Sequence, residues 1–225
     1  MIKTQGISFP RSGHGALYHV LRRYFRSELV YCDPEVPRGH ADNTGSLCGC
    51  GSVPCENPDN TYAKNHDFGL LGGGAGLPVR SDWRYLIQFR SPVRAIVSNF
   101  RLRLRSMPQD DTLERWQAFA HQQIAYWNAF MDKWVLRRGD GTYLDVPYER
   151  LIQHSEDACR KVLGFVAAEP VDEARLQDAL AFVNLTSRDR FADFPYFDQG
   201  FFEHLESMAG SRLKQARLPS FGDGV

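Results

Sequence analysis

A short apolar stretch, Gly6-Ile7-Ser8-Phe9, runs into Pro10-Arg11-Ser12-Gly13-His14-Gly15 and then into an amphipathic segment. Strand, glycine-bearing turn and helix in that order commit the opening of the chain to a β–α unit, whose next strand lies parallel to the first. Within the helix expected over about 14–26, Ala16, Leu17, Val20, Leu21, Tyr24 and Phe25 form one wide apolar stripe. Glu28–Cys32 reads as the second strand. The same pattern recurs downstream. Tyr85-Leu86-Ile87-Gln88-Phe89 is the core of a strand over 83–90 that ends in Arg90. Ser91 then suits an N-cap and Pro92 the first position of a helix over 92–105.

Between these units Thr61–His66 reads as a short strand, and Gly72–Gly76 as a glycine-rich loop too irregular for a phosphate-binding fingerprint. A long helix is expected over about 112–137, where Leu113, Trp116, Ala120, Ile124, Trp127, Met131 and Trp134 alternate by threes and fours as a core stripe. Gly139-Asp140-Gly141 stops it, Thr142–Val146 returns as a strand, and helices near 155–166, 172–183 and 198–215 follow. The alternation predicts an α/β three-layer sandwich: a central, mostly parallel sheet, a P-loop-like strand–loop–helix, and helices on both faces. At 225 residues the chain fits a single domain. Residues 33–82 then form a loop-rich insertion on the acceptor side, and 170–225 a helical C-terminal part.

Lys+Arg and Asp+Glu both number 27, so net charge gives no reason to expect nucleic acid or an acidic membrane as the main partner. No apolar run approaches the ~20 residues of a membrane span, and Met1–Gln5 lacks the apolar stretch of a secretory signal; a cytoplasmic protein is expected. Arg22, Arg23 and Arg26, and later Arg94, Arg101, Arg103 and Arg105, are either solvated helix faces or a basic rim that steers an anionic ligand. Cys32, Cys48, Cys50 and Cys55 share one loop-rich stretch, while Cys159 lies on a later helix. Reduced thiols, disulfides and a structural metal are all open, with reduced, metal-free thiols expected in a reducing compartment.

Each of the two strand–turn–helix units builds an anion site at the carboxyl end of a strand, where open α/β sheets bind ligands. In the first, Gly13 and Gly15 let backbone amides approach a phosphate, the helix start adds its positive dipole end, and Arg11 brings a permanent charge. In the second, Arg90 is followed two turns later by Ser98. A ligand with phosphates at both ends accounts for two such sites in one chain and points to a nucleotide-dependent transferase.

The turn Pro10-Arg11-Ser12-Gly13-His14-Gly15 resembles the PKSGTT loop of the sulfotransferase family, which holds the 5′-phosphosulfate of PAPS (3′-phosphoadenosine 5′-phosphosulfate). Arg90 and Ser98 fall where that family places the Arg and Ser that clamp the 3′-phosphate. Lys64-Asn65-His66 is similar to its Lys-Thr-His, whose His is the general base. Val146-Pro147-Tyr148-Glu149-Arg150-Leu151 resembles its Tyr-Glu-Asp-Leu segment, where the Tyr lies beside the adenine. The four matches keep chain order from residue 9 to about 165. The resemblance implies a cofactor site of Arg11, Ser12, Gly13, His14, Gly15, Ala16, Arg90, Ser98 and Tyr148, with His66, Arg11 and Lys64 as catalytic residues.

It further implies transfer of a sulfuryl group from PAPS to a hydroxyl of a small-molecule or carbohydrate acceptor, leaving PAP and requiring no metal. His66 takes the hydroxyl proton, Arg11 balances charge on the leaving phosphate, and Lys64 either assists or pairs with Asp67. Glu149 is expected to anchor a strand–helix junction instead. Departures from the family pattern are definite. Arg11 stands for Lys, His14-Gly15 stands for Thr-Thr, and the late Arg-Lys-Gly loop is absent, with Thr186-Ser187-Arg188-Asp189-Arg190 as its only candidate substitute. An ATP-dependent kinase and a catalytically inactive PAP-binding module are the competing readings. The turn lacks the Lys-Ser/Thr end that the kinase would use.

Overall fold

The computed structural model describes residues 3–33, 48, 50, 52–183 and 191–222. Its centre is β1 (Thr4–Ser8), buried at every position. β2 (Tyr31–Cys32), β3 (Tyr62–Asn65), β4 (Arg84–Phe89) and β5 (Thr142–Pro147) complete a five-stranded sheet in the order β2-β3-β1-β4-β5. All its pairings are parallel, and Ile7 lies level with Asn65 on one side and Ile87 on the other. A central parallel strand is covered on both faces, which is why β1 and β4 read as nearly unbroken apolar runs.

Side chains alternate between two cores. On one face Ile7, Ile87 and Phe89 pack against α2 (Pro92–Ser106), α3 (Leu113–Met131) and α7 (Gln199–Ala209), through Ile96, Phe100, Trp116, Trp127 and Phe202. On the other, Tyr62, Leu86 and Val146 meet α1 (His14–Phe25), α5 (Ser155–Ala167) and α6 (Glu173–Phe182), through Leu17, Leu21, Val162 and Leu176. The expected three-layer arrangement is therefore present. Trp116, Trp127 and Trp134 are fully buried, as the helical stripe requires. Burying one large apolar side chain stabilises by roughly 1.5–3 kcal/mol, so this face carries much of the fold.

Several boundaries differ from expectation for local reasons. The second strand is only two residues long, because Arg26–Glu28 forms a 3-10 turn after α1. The long helix leaves α geometry after Met131 and finishes as a π-turn over Asp132–Leu136. There Lys133 and Trp134 both reach Asp67 Oδ2, at 2.9 and 2.8 Å. The last helix divides at Gly210, whose φ of 60° ends α7 before the short α8 (Arg212–Gln215). The short helix α4 (Tyr148–Gln153) follows β5 without a loop and has no periodic signal in the sequence.

Gly6 is demanded by a close approach: a Cβ there would overlap the Tyr62 hydroxyl, which crosses β1 from the neighbouring strand. Gly72, by contrast, has no neighbour for a Cβ within 4 Å. Gly6→Ala is expected to lower stability by about 1–3 kcal/mol in urea titrations through overpacking. Gly72→Ala should stay within about 0.5 kcal/mol of the wild type in the same titrations.

Candidate active site

The connections of an open parallel sheet leave a crevice where they reverse direction, and here that point lies between β1 and β4. The turn after β1 is held at its root by Phe9 N–H donating to Gln88 O (2.9 Å) and Ser12 N–H donating to Phe9 O (3.2 Å). Arg11 and Gly13 both adopt left-handed backbone, with φ of 67° and 84°. An arginine in that region is uncommon and is typical of residues held by their surroundings at functional turns. Gly13 has a second constraint, because a Cβ would stand 2.7 Å from the Tyr148 ring. Ser12 is wholly buried, and its hydroxyl has no hydrogen-bond partner among the described residues. Buried polar atoms ordinarily have partners, so this turn carries an unused hydroxyl.

The second strand–helix unit meets the first. Arg11 Nε donates to Ser98 Oγ at 3.0 Å, across 87 residues of sequence. The Arg90 guanidinium stacks on the Tyr148 ring at 4.0 Å, a cation–π contact, and Tyr148 in turn covers Gly13. Arg11, Gly13, Arg90, Ser98 and Tyr148 thus converge on one place. Arg90 is fixed through its backbone, since its carbonyl accepts from Trp127 Nε1 at 2.9 Å. Ser91 does not cap α2 with its side chain. Instead Glu149 Oε1 accepts from Ser91 N–H at 3.0 Å, so the carboxylate anchors the β4–α2 junction; burial pushes its pKa up.

His66 follows β3 directly and stands beside the end of β1. Its Nδ1 lies 2.6 Å from the Ser8 carbonyl oxygen and 3.0 Å from Ser8 Oγ. A carbonyl only accepts, so Nδ1 carries the proton and the basic lone pair sits on Nε2. The His66 carbonyl accepts from the Tyr126 hydroxyl. Asp67, at φ 51°, then organises the glycine-rich loop: its Oδ1 accepts from Leu77 N–H at 2.6 Å, and its Oδ2 pairs with Lys133. That loop is a buried-carboxylate scaffold behind His66.

Lys64 pairs with Asp33 at 3.2 Å and not with Asp67, the partner considered from sequence. Tyr31 OH also donates to Asp33, at 3.2 Å, and lies 3.1 Å from His14 Nε2, which completes a relay from His14 through Tyr31 and Asp33 to Lys64. His14 therefore faces this network; its ring centroid is 6.4 Å from that of His66. Burial first, then the charges of Lys64 and His66, holds its pKa well below the usual imidazole value. Gly15 and Ala16 occupy the first turn of α1, and nothing lies within 4 Å of where a Gly15 Cβ would stand.

Most of the arginine clusters have structural partners. Arg23 and Arg26 face Asp178 on α6, at 2.9 and 3.9 Å. Arg94 is buried, donates to Phe221 O at 3.1 Å and stacks on Phe191. Arg101 lies over Phe194, and Arg103 pairs with Asp110 at 2.6 Å. These contacts replace the basic-rim reading at those positions. The segment Thr186–Arg190 lies outside the described residues. Tyr31, Asp33, Tyr126 and Trp127 position the site without any local sequence sign, because each acts across the fold.

A buried neutral imidazole sets a pH dependence with a definite sign. The unfolded chain binds a proton at His14 below about pH 6.5, whereas the native state resists it, so stability falls as pH drops through that range. The melting temperature of the wild type should therefore decline more steeply from pH 7 to pH 5 than that of His14→Gln. Parallel curves would contradict this.

No family model matches the chain, and no curated protein matches it. Among solved structures it is similar to mouse sulfotransferase SULT7A1 complexed with PAP, at 17% sequence identity and a TM-score of 0.62. The match covers 96% of this chain and 85% of the mouse protein's chain. In the described residues no helix is long and apolar enough to cross a membrane. The chain has a sulfotransferase-like α/β fold.

Proposed function

We propose that this protein is a PAPS-dependent sulfotransferase that acts on a hydroxyl of a small-molecule or carbohydrate acceptor. The observation that supports the reading is the Arg11–Ser98 hydrogen bond, which joins the turn after β1 to the helix after β4. The donor set suits a bisphosphorylated adenosine. Ser12 offers an unused buried hydroxyl, Arg11 and Arg90 offer permanent charge, and the Tyr148 ring offers a flat face for a base. The PAP bound to the similar mouse enzyme supports the same ligand class here.

PAPS supplies a sulfuryl group on a phosphate that leaves readily. Arg11 and the amides of the Ser12–Gly15 turn hold the 5′ side, where negative charge grows as the bond to sulfur breaks. Arg90 and Ser98 hold the 3′-phosphate, and Tyr148 orients the base. On ligand entry Arg11 exchanges its bond to Ser98 for phosphate oxygen, which frees Ser98 Oγ for the other phosphate. His66 Nε2 accepts the acceptor's proton as its oxygen bonds to sulfur, with Nδ1–H held by Ser8 O so that the tautomer is correct throughout. Lys64, oriented by Asp33, stabilises the transferring group from the β3 side.

Calorimetry should show PAP binding to the wild type, with Arg90→Ala and Ser98→Ala each weakening it; a tenfold loss corresponds to about 1.4 kcal/mol. His66→Ala should keep PAP affinity while lowering sulfate transfer to phenol or sugar acceptors by about 10²–10⁴-fold. PAP binding without any transfer by the wild type would favour a binding module that has lost catalysis. Magnesium-dependent ATP turnover without PAP binding would favour a kinase. Either result overturns the proposal.

A further inference from the structure

Outside the crevice, the chain gathers four cysteines at the edge of the sheet. Cys32 ends β2, and Cys48, Cys50 and Cys55 return to it, with all four sulfur atoms within 4.8 Å of one another. The separations are 3.7 Å for Cys32–Cys50, 3.7 Å for Cys48–Cys55 and 3.5 Å for Cys50–Cys55. No disulfide joins them. A disulfide bond holds its sulfurs at about 2.05 Å, far closer than any of these pairs. Four thiolates at about 2.3 Å around one zinc ion place neighbouring sulfurs about 3.8 Å apart, the edge of the tetrahedron. These three separations lie close to that edge, and no pair exceeds 4.8 Å.

The surroundings also suit a closed metal site. Cys32 and Cys55 are buried, Cys48 and Cys50 half-buried, and Ala63 is the buried apolar residue grouped with them. Thiols are weak hydrogen-bond donors, so four of them packed together contribute little cohesion on their own. The outer contacts instead supply one donor toward sulfur and fix the backbone. Asn57 Nδ2 donates to Cys48 Sγ at 3.3 Å, and Cys48 N–H donates to Tyr31 O at 2.8 Å. Asn60 Nδ2 ties the same segment to Val30 O and Tyr62 O, at 2.8 and 3.0 Å. Donors of this kind orient metal-bound ligands.

We propose that Cys32, Cys48, Cys50 and Cys55 bind one zinc ion as a closed tetrahedral thiolate site. This departs from the expectation of reduced, metal-free cysteines. Uptake of the ion replaces four thiol protons, which pass to solvent. With four protein ligands no position is open for water or substrate, so the ion is structural. Its place gives it a consequence for the crevice. Cys32 is followed by Asp33, the partner of Lys64, and preceded by Tyr31, the partner of His14. The ion therefore clamps a two-residue edge strand that the sheet alone holds by one neighbour.

Elemental analysis of the full chain, purified without chelators, tests this directly. The expected result is about one zinc per chain, and cobalt substitution should give the intense visible bands of a tetrahedral thiolate site. Cys48→Ser and Cys50→Ser should lose the metal while Cys159→Ala, altered in a buried cysteine on α5, retains it. The wild-type measurements do not depend on whether the serine variants fold. Zinc-free wild-type protein that also gives no cobalt bands would overturn the proposal. Zinc retained by both serine variants, or iron in place of zinc, would overturn it equally.

Discussion

Burial of β1 on both faces and both edges is the constraint from which the site follows. A parallel strand flanked by β3 and β4 must deliver its own carboxyl end beside theirs. The turn after β1, His66 after β3 and Arg90 after β4 therefore arrive in one row, although they are separated by more than twenty residues along the chain. The register sets the spacing: Ile7 is level with Asn65 and Ile87, so the residues just beyond are neighbours by necessity. Apolar packing fixes the sheet, and the sheet fixes the polar groups.

Buried or half-buried acids then set the orientation of what the strands deliver. Glu149 holds the start of α2 through Ser91, Asp67 holds the loop behind His66, and Asp33 holds Lys64 and Tyr31. An unpaired buried carboxylate costs several kcal/mol; the buried Glu149 and Asp67, and the half-buried Asp33, are each hydrogen-bonded or ion-paired. Their shared character is support: each fixes a backbone or a cation at the rim of the crevice. Around the Arg11–Ser98 bond the chain brings together Arg11, Arg90, Ser98 and the Tyr148 ring, with His66 beside the end of β1, the groups that the proposed anionic ligand would use. The cysteine cluster lies at the sheet edge, where the two-residue β2 has a single neighbour.

What was legible in the sequence is what local chemistry determines. The turn 10–15, the Ser-Pro helix start after Arg90 and the tryptophan stripe of α3 are written in adjacent residues, and all lie where expected. Glu149 could be assigned to a junction because it follows a strand, but its partner, Ser91, is 58 residues away. Lys64 found Asp33 and not the nearby Asp67, because Asp67 is drawn to Lys133 and Trp134 at the end of α3. Spacing alone left the four cysteines ambiguous, since Cys32 reaches its partners only through the return of the chain beside β2. Contacts across the fold, not within an element, account for every residue that went unforeseen.

The central claim is that one crevice grips a nucleotide by two separate phosphates. Thermal denaturation with PAP, adenosine 5′-monophosphate and adenosine 3′-monophosphate at equal concentrations tests it most directly, because at equal concentration the ligand with the higher affinity for the native state stabilises it more. The account predicts a clearly larger rise in melting temperature with PAP than with either monophosphate. Equal stabilisation by the 5′-monophosphate and PAP would contradict it.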